Sequence, residues 1–400
     1  MRSRRPTSIL LAAGLAVAGC ATTSSTTADT TADTTADTTG STTAATTATV
    51  APATVAAGAA VLDLALTIHV ERNDTELDNE TVYDAHVAML EQLADMAEQY
   101  GVVLNFELST VFVQAVDQWD STFIEDMTAR GHGVSQHSGD KSTDGLTGQA
   151  RVDELTSQRE AIEAHGVSVN YLSGGCSEDA GWVEAAISAG FSAVTGITEI
   201  CLSSLSDESL PAGMEWIREC HNASVCHDPL QIGEQRWLHP WTTSTSSDWL
   251  TDDPNGALVI VSAAEADAFV AMSIDGDADL EGSMEQWNTM LESLLAAVVP
   301  GQVNLWNLVL SVGPEPDWEV VEAIFADAQS RAAAREVDWV QLSDVIAEAV
   351  AEAPTQPADP PVVYTDTTSD LAGNGVGTGG TGDDGTCVPP TCKPSGGTLP

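Results

Sequence analysis

The sequence predicts an α/β protein, a (β/α) barrel of about seven parallel strands flanked by disordered tails. Two observations carry this. Between residues 61 and 352, short apolar or β-branched runs alternate with segments whose apolar residues recur at helical spacing. Such repeats need parallel strands joined by helical crossovers. About seven or eight units fit a barrel better than an open sheet, and no Gly-rich phosphate loop of the dinucleotide-binding kind is present.

The elements follow in order. Residues 61–70 form an apolar run with a β-branched end, a buried strand. Over 79–100, Val82, Met89, Leu90, Leu93 and Met96 recur at helical spacing and Gly101 stops the helix. A strand is expected over 102–108, a short helix over 120–130 ending at Gly131, and a strand over 132–137. A helix over 152–165 closes at Gly166 before a strand over 167–172. A helix over 178–189 closes at Gly190 before a strand over 191–195. Further strands are expected over 257–261, 303–310 and 338–342, with a helix over 318–335.

Outside this region the chain changes character. Arg2, Arg4 and Arg5 precede a short apolar run that ends Ala16-Val17-Ala18-Gly19-Cys20. The run is too short to span a bilayer, so 1–19 reads as a signal peptide. Small residues before a cysteine resemble the bacterial lipobox, which implies acylation of Cys20. Acyl chains anchor through buried CH₂ groups, each worth roughly 0.8 kcal/mol. The expected location is therefore the cell membrane or outer membrane, with the domain facing the periplasm or cell surface. Ala21 stands where an Asp would signal inner-membrane retention in many Gram-negative bacteria, which favours the outer membrane where there is one. Residues 20–58 repeat Thr, Ala and Asp and cannot bury a core, so they form a disordered tether averaging roughly 35 Å end to end. The barrel domain is assigned to 59–353, and 354–400 is a disordered tail rich in Pro, Gly and Thr.

Composition narrows the partners. Sixty Asp and Glu against 13 Lys and Arg give a net charge of −47. Such a chain repels polyanions, which excludes nucleic acid. An acidic surface also suits salt-adapted proteins. Of seven cysteines, Cys20 is assigned to the lipid. The six others, Cys176, Cys201, Cys220, Cys226, Cys387 and Cys392, point to disulfides in an oxidising compartment. Cys387 and Cys392 are expected to close a loop. The remaining four allow three pairings, of which Cys220 with Cys226 is the most local. A zinc site with His221 and His227 is the competing use of these cysteines.

In (β/α) barrels chemistry sits at the C-terminal ends of strands. The first strand ends Thr67-Ile68-His69-Val70-Glu71, so His69 and Glu71 can face one site together. The second ends Asn105-Phe106-Glu107, and the third runs Gly133-Val134-Ser135-Gln136-His137-Ser138-Gly139-Asp140. His132 alternates to the opposite face and reads as structural. His86 and His165 lie on helical segments and read as solvated. Trp237, Trp241 and Trp249 cluster with His239, either as a platform for sugar rings or as loop packing.

These strand ends resemble the polysaccharide deacetylase family, with its NodB-type domain. The segment Gly131-His132-Gly133-Val134-Ser135-Gln136-His137-Ser138 is similar to that family's second motif, Asp248-Trp249 to its fourth, 256–261 to the strand bearing its last histidine, and 337–343 to its closing strand. The resemblance covers roughly 61–350 and implies a distorted barrel with a divalent metal. Departures are plain. His69 and Val70 stand at the two aspartate positions of the first motif, Lys141 at the second histidine of the second, and Ser262 and Ala263 follow the strand that bears the last histidine. The Arg-Pro-Pro of the third motif is absent around Tyr171-Leu172-Ser173-Gly174.

Three functional expectations follow. In the first, His69, Glu71 and His137 hold a divalent metal such as zinc, with Glu71 and His69 as catalytic groups and Glu107, Asp140 and Trp249 toward substrate. Such a site hydrolyses N- or O-acetyl groups on a glycan. In the second, the barrel has lost its metal and serves as a glycan-binding or structural surface lipoprotein. In the third, Glu71 and Glu107 are the paired carboxylates of a glycoside hydrolase.

Overall fold

The computed structural model describes residues 60–138, 143, 145–176, 181–219, 230, 234–265, 280–311 and 316–352. Cys20, the tether, the tail, Asp140, Lys141, Cys220, His221, Cys226, His227, Cys387 and Cys392 lie outside the described residues.

The strands are β1 (Leu62–Val70), β2 (Leu104–Ser109), β3 (Gly133–His137), β4 (Tyr171–Ser173), β5 (Ala193–Thr195), β6 (Trp241–Thr243), β7 (Leu258–Ile260), β8 (Ala263–Glu265), β9 (Leu305–Ser311) and β10 (Val337–Trp339). The helices are α1 (Thr75–Asp78), α2 (Glu80–Gln99), α3 (Thr110–Gln118), α4 (Phe123–Ala129), α5 (Gly148–Glu163), α6 (Trp182–Ser188), α7 (Glu234–Leu238), α8 (Leu280–Ala297), α9 (Trp318–Ala334) and α10 (Leu342–Glu352). The strand order is β6-β7-β5-β4-β3-β2-β1-β9-β8, with β10 also on β1. Every pairing is parallel except β6 with β7. Among the described residues the path ends at β6 and β8, so the sheet is a curled half-barrel. The expected parallel strands are its middle. Strands β6 and β8, at the two ends of the path, are additions to the expected set.

Alternation along β1 builds two cores. Leu62, Leu64, Leu66, Ile68 and Val70 face the helices and join the larger apolar cluster. Ala65 faces the concave side with Tyr171, Ala193, Val259 and Leu305, and with Leu342, Val345 and Ile346 of α10. Most of these strand residues lie at strand starts, so α10 covers the N-terminal end of the half-barrel. Asn105 bolts it there. Its Oδ1 accepts from Leu342 N–H at 2.8 Å, and its amide donates to the carbonyls of Leu66 and Val340. Gly133 makes room for this, because a Cβ there would sit 2.6 Å from Asn105 Oδ1. The strand expected over 338–342 therefore ends at Trp339, and Leu342 opens a helix.

Asp63 lies at the same end. Burial, then the charges of Glu348 and Asp338, raise its pKa to about 6. The folded state thus favours protonated Asp63. This contribution to stability is present below the unfolded value of 3.8 and is lost as pH rises toward 6. Asp63→Asn should therefore raise stability at pH 7.5 by about 1–2 kcal/mol, discounted for partial exposure, and have little effect near pH 3.5. Urea unfolding at the two pH values checks this.

Cys176, in the loop after β4, is bonded to Cys201, in the 3₁₀ turn Glu199–Ser204 after β5, with Cα atoms 5.4 Å apart. The bridge ties together two loops at the C-terminal end of the sheet. It closes a span of 25 residues. Its reduction, or the double change Cys176→Ser with Cys201→Ser, should cost about 3 kcal/mol in denaturant unfolding.

Candidate metal centre

The site follows from strand register. His69 on β1 lies opposite Glu107 on β2, and Glu107 lies opposite Ser135 on β3. His137, the last residue of β3, lies opposite Ser109 on one side and Ser173 of β4 on the other. Ser173 in turn lies opposite Thr195 of β5. Parallel strands in register put these side chains on one face near the C-terminal ends, with His69, Glu107 and Ser135 at one level and His137, Ser173 and Thr195 two residues further along.

His69 and His137 meet across that face, with ring centroids 4.4 Å apart. Glu71 follows β1 directly, and its half-exposed carboxylate spans both rings. Oε1 is 3.8 Å from His69 Nδ1 and Oε2 is 3.4 Å from His137 Nε2. One donor atom from each of the three residues lies within 4.8 Å of the other two.

Behind each imidazole stands a second group. His137 Nδ1 is hydrogen-bonded to Ser173 Oγ at 2.8 Å, which leaves Nε2 toward Glu71. His69 Nε2 lies 2.8 Å from Oε2 of Glu107, a carboxylate with no exposed surface. The two atoms are in close contact, but the oxygen lies off the N–H direction, and neither atom makes an aligned hydrogen bond. Glu107 Oε1 accepts from Thr195 Oγ1 at 2.8 Å. Beneath it, burial and then the Glu107 charge push the Tyr171 phenol well above its usual range.

The predicted residues divide accordingly. His69, Glu71 and His137 converge. Glu107 is no substrate contact, because it is buried beneath His69. For the same reason Glu71 and Glu107 do not form an open carboxylate pair around a glycosidic bond. Asp140 lies outside the described residues. Trp249 is also corrected: its side chain is fully buried. Its ring stacks on Trp241 and meets Trp182 edge-on, and its N–H donates to the Cys201 carbonyl. It offers no face to a sugar. His86 and His165 are not solvated either. His86 pairs with buried Glu76 at 2.6 Å, and His165 with Glu125 at 3.0 Å and Asp117 at 3.3 Å. His132 is structural as expected. It accepts from Leu104 N–H at 3.2 Å, and burial holds its imidazole below the usual range. Ser173 and Thr195 were missed. Each ends or follows a strand recognisable in the sequence, and a polar residue at that place was the available signal.

Two imidazoles and a carboxylate are a donor set suited to zinc, and three protein ligands leave a further position open. The ring nitrogens facing Glu71 are the ones their partners leave toward it. The residues therefore fit a divalent metal.

Fold and site together define a curled parallel α/β half-barrel with a His-Glu-His group at its strand ends. No protein-family model and no curated protein matches the chain. Among solved structures, a Mycobacterium smegmatis protein assigned as a polysaccharide deacetylase is similar at 14% identity and a TM-score of 0.47, over 76% of this chain and 94% of that one. A Pseudomonas aeruginosa PAO1 protein with the same assignment is similar at 12% identity and a TM-score of 0.47, over 74% and 93%. A CE4-family pseudoenzyme from Bacillus anthracis is similar at 11% identity and a TM-score of 0.32, over 72% and 66%. Values this low leave function to be argued from the residues of this chain.

Proposed function

We propose that the chain is an exported, lipid-anchored hydrolase that removes acetyl groups from a glycan with the help of a divalent metal. The observation that carries this reading is the convergence of His69, Glu71 and His137 at the C-terminal ends of β1 and β3. His69, Glu71 and His137 would hold the metal, which when bound supplies Lewis acidity toward an acyl carbonyl. Glu71 is the exposed member. The oxygen not needed for the metal is the candidate base for an attacking water. Ser173 keeps His137 turned toward the site. Beneath the site the side chains of Glu107 and Tyr171 are buried.

Export is supported by the basic head, the apolar run and Cys20, and by a disulfide that suits an oxidising compartment. Among the described residues no helix is long and apolar enough to cross a membrane. Attachment would then rest on acylation of Cys20.

The test is elemental mass spectrometry of protein purified without chelator and re-exposed to zinc, with acetate release from acetylated chito-oligosaccharides measured in parallel. About one metal per chain is expected, with acetate release lost on chelation. Protein that takes up no stoichiometric metal refutes the reading and leaves the glycan-binding alternative. Labelled palmitate should enter the chain in cells and be absent from Cys20→Ala.

A further inference from the structure

Glu107 is a buried carboxylate that the proposed chemistry does not use. Its side chain has no exposed surface. A desolvated carboxylate is costly unless a positive or hydrogen-donating group faces it. Thr195 donates to Oε1 at 2.8 Å. Oε2 faces the ring of His69, 2.8 Å from Nε2, and neither of these two atoms makes an aligned hydrogen bond elsewhere. Rotation of the imidazole is required to bring them into line.

We propose that Glu107, held by Thr195, is a positioning residue that keeps the His69 proton on Nε2 and so presents the Nδ1 lone pair to the site. The inference rests on the metal reading only for its consequence, since the tautomer can be read without metal. Which ring nitrogen carries the proton is set by the hydrogen bond that the other makes, and carboxylates are frequent partners of that kind. On the opposite strand Ser173 occupies His137 Nδ1 and leaves Nε2. The two histidines therefore present different nitrogens to one point. His69 reaches it by Nδ1, which is 3.8 Å from Glu71, and His137 by Nε2, which is 3.4 Å from it. The asymmetry arises from the scaffold. His69 is one residue short of the end of β1 and has Glu107 beside it in register, whereas His137 ends β3 with Ser173 beside it.

The role is a positioning one, because Glu107 has no access to a substrate. Outer partners of this kind typically contribute 10–100-fold to metal affinity.

The test is long-range ¹⁵N–¹H correlation NMR of the histidine rings in the metal-free protein at pH 8.5, with zinc affinity measured by chelator competition. Wild type should carry the His69 proton on Nε2. Glu107→Gln, which keeps an acceptor, should retain that tautomer but bind zinc about 10-fold more weakly. Glu107→Ala should lose the tautomer preference and about 100-fold in affinity. Thr195→Val leaves the carboxylate in place and should give a partial loss, which serves if Glu107→Ala does not fold. A His69 proton on Nδ1 in wild type overturns the proposal, as does an unchanged tautomer in Glu107→Ala. A wild type that binds no zinc but shows the Glu107-dependent tautomer supports the positioning role and refutes the metal reading alone.

Discussion

His137→Ala should abolish stoichiometric zinc binding while the protein stays folded. The substitution removes one of three donors and leaves His69 and Glu71, which are too few for a closed structural site or a stable catalytic one. The loss should exceed the 10–100-fold that outer partners contribute. Chelator competition gives the affinity, and a thermal melt shows whether the fold survives. The fold should survive because His137 ends β3 and packs against polar Ser173, not in the apolar cluster. His69→Ala should behave alike, although it also leaves Glu107 buried beside an empty space. A His137→Ala protein with wild-type zinc content would mean that the metal binds elsewhere.

Trp249→Ala should cost about 3–5 kcal/mol of stability, a large part of the roughly 5–15 kcal/mol that holds a typical domain together. The side chain is fully buried, packs against Trp241 and Trp182, and gives its N–H to the turn that carries Cys201. Its removal leaves a cavity beneath the disulfide-tied loops. Urea unfolding measures the loss. A tryptophan serving as a sugar platform would behave in the opposite way, with stability unchanged and glycan binding reduced.

Much of the architecture was legible because its signals are local. The strand expected over 61–70 is β1 to within a residue, and the helix expected over 79–100 is α2, with Asn79 accepting from Thr81 N–H at its start. Helix α3 was not legible. Val111, Val113 and Val116 are β-branched and favour a strand by propensity. Burial of Val111, Phe112, Val113, Ala115 and Val116 overrides this, and Ser109 caps the helix through Phe112 N–H. Helix α10 was hidden because its apolar face closes the barrel end, a role that appears only once the strands are assembled.

The site divides along the same line. Alternation by itself places His69 and Glu71 on one side of a strand, and a motif-like segment marks His137. These are consequences of a two-residue period that any strand obeys. Register between strands, by contrast, is set by how the whole sheet packs. Only the tertiary structure decided that Glu107 is a buried partner of His69, that Ser173 and Thr195 orient the site, and that Cys176 bonds Cys201. It also placed Trp249 in the core, where its sequence neighbours gave no sign of the Trp182 and Cys201 that surround it. The physical reason is range. Periodicity and capping act within a few residues, whereas burial, pairing and register join groups as far apart as Glu107 and Thr195, which meet only after the sheet has curled.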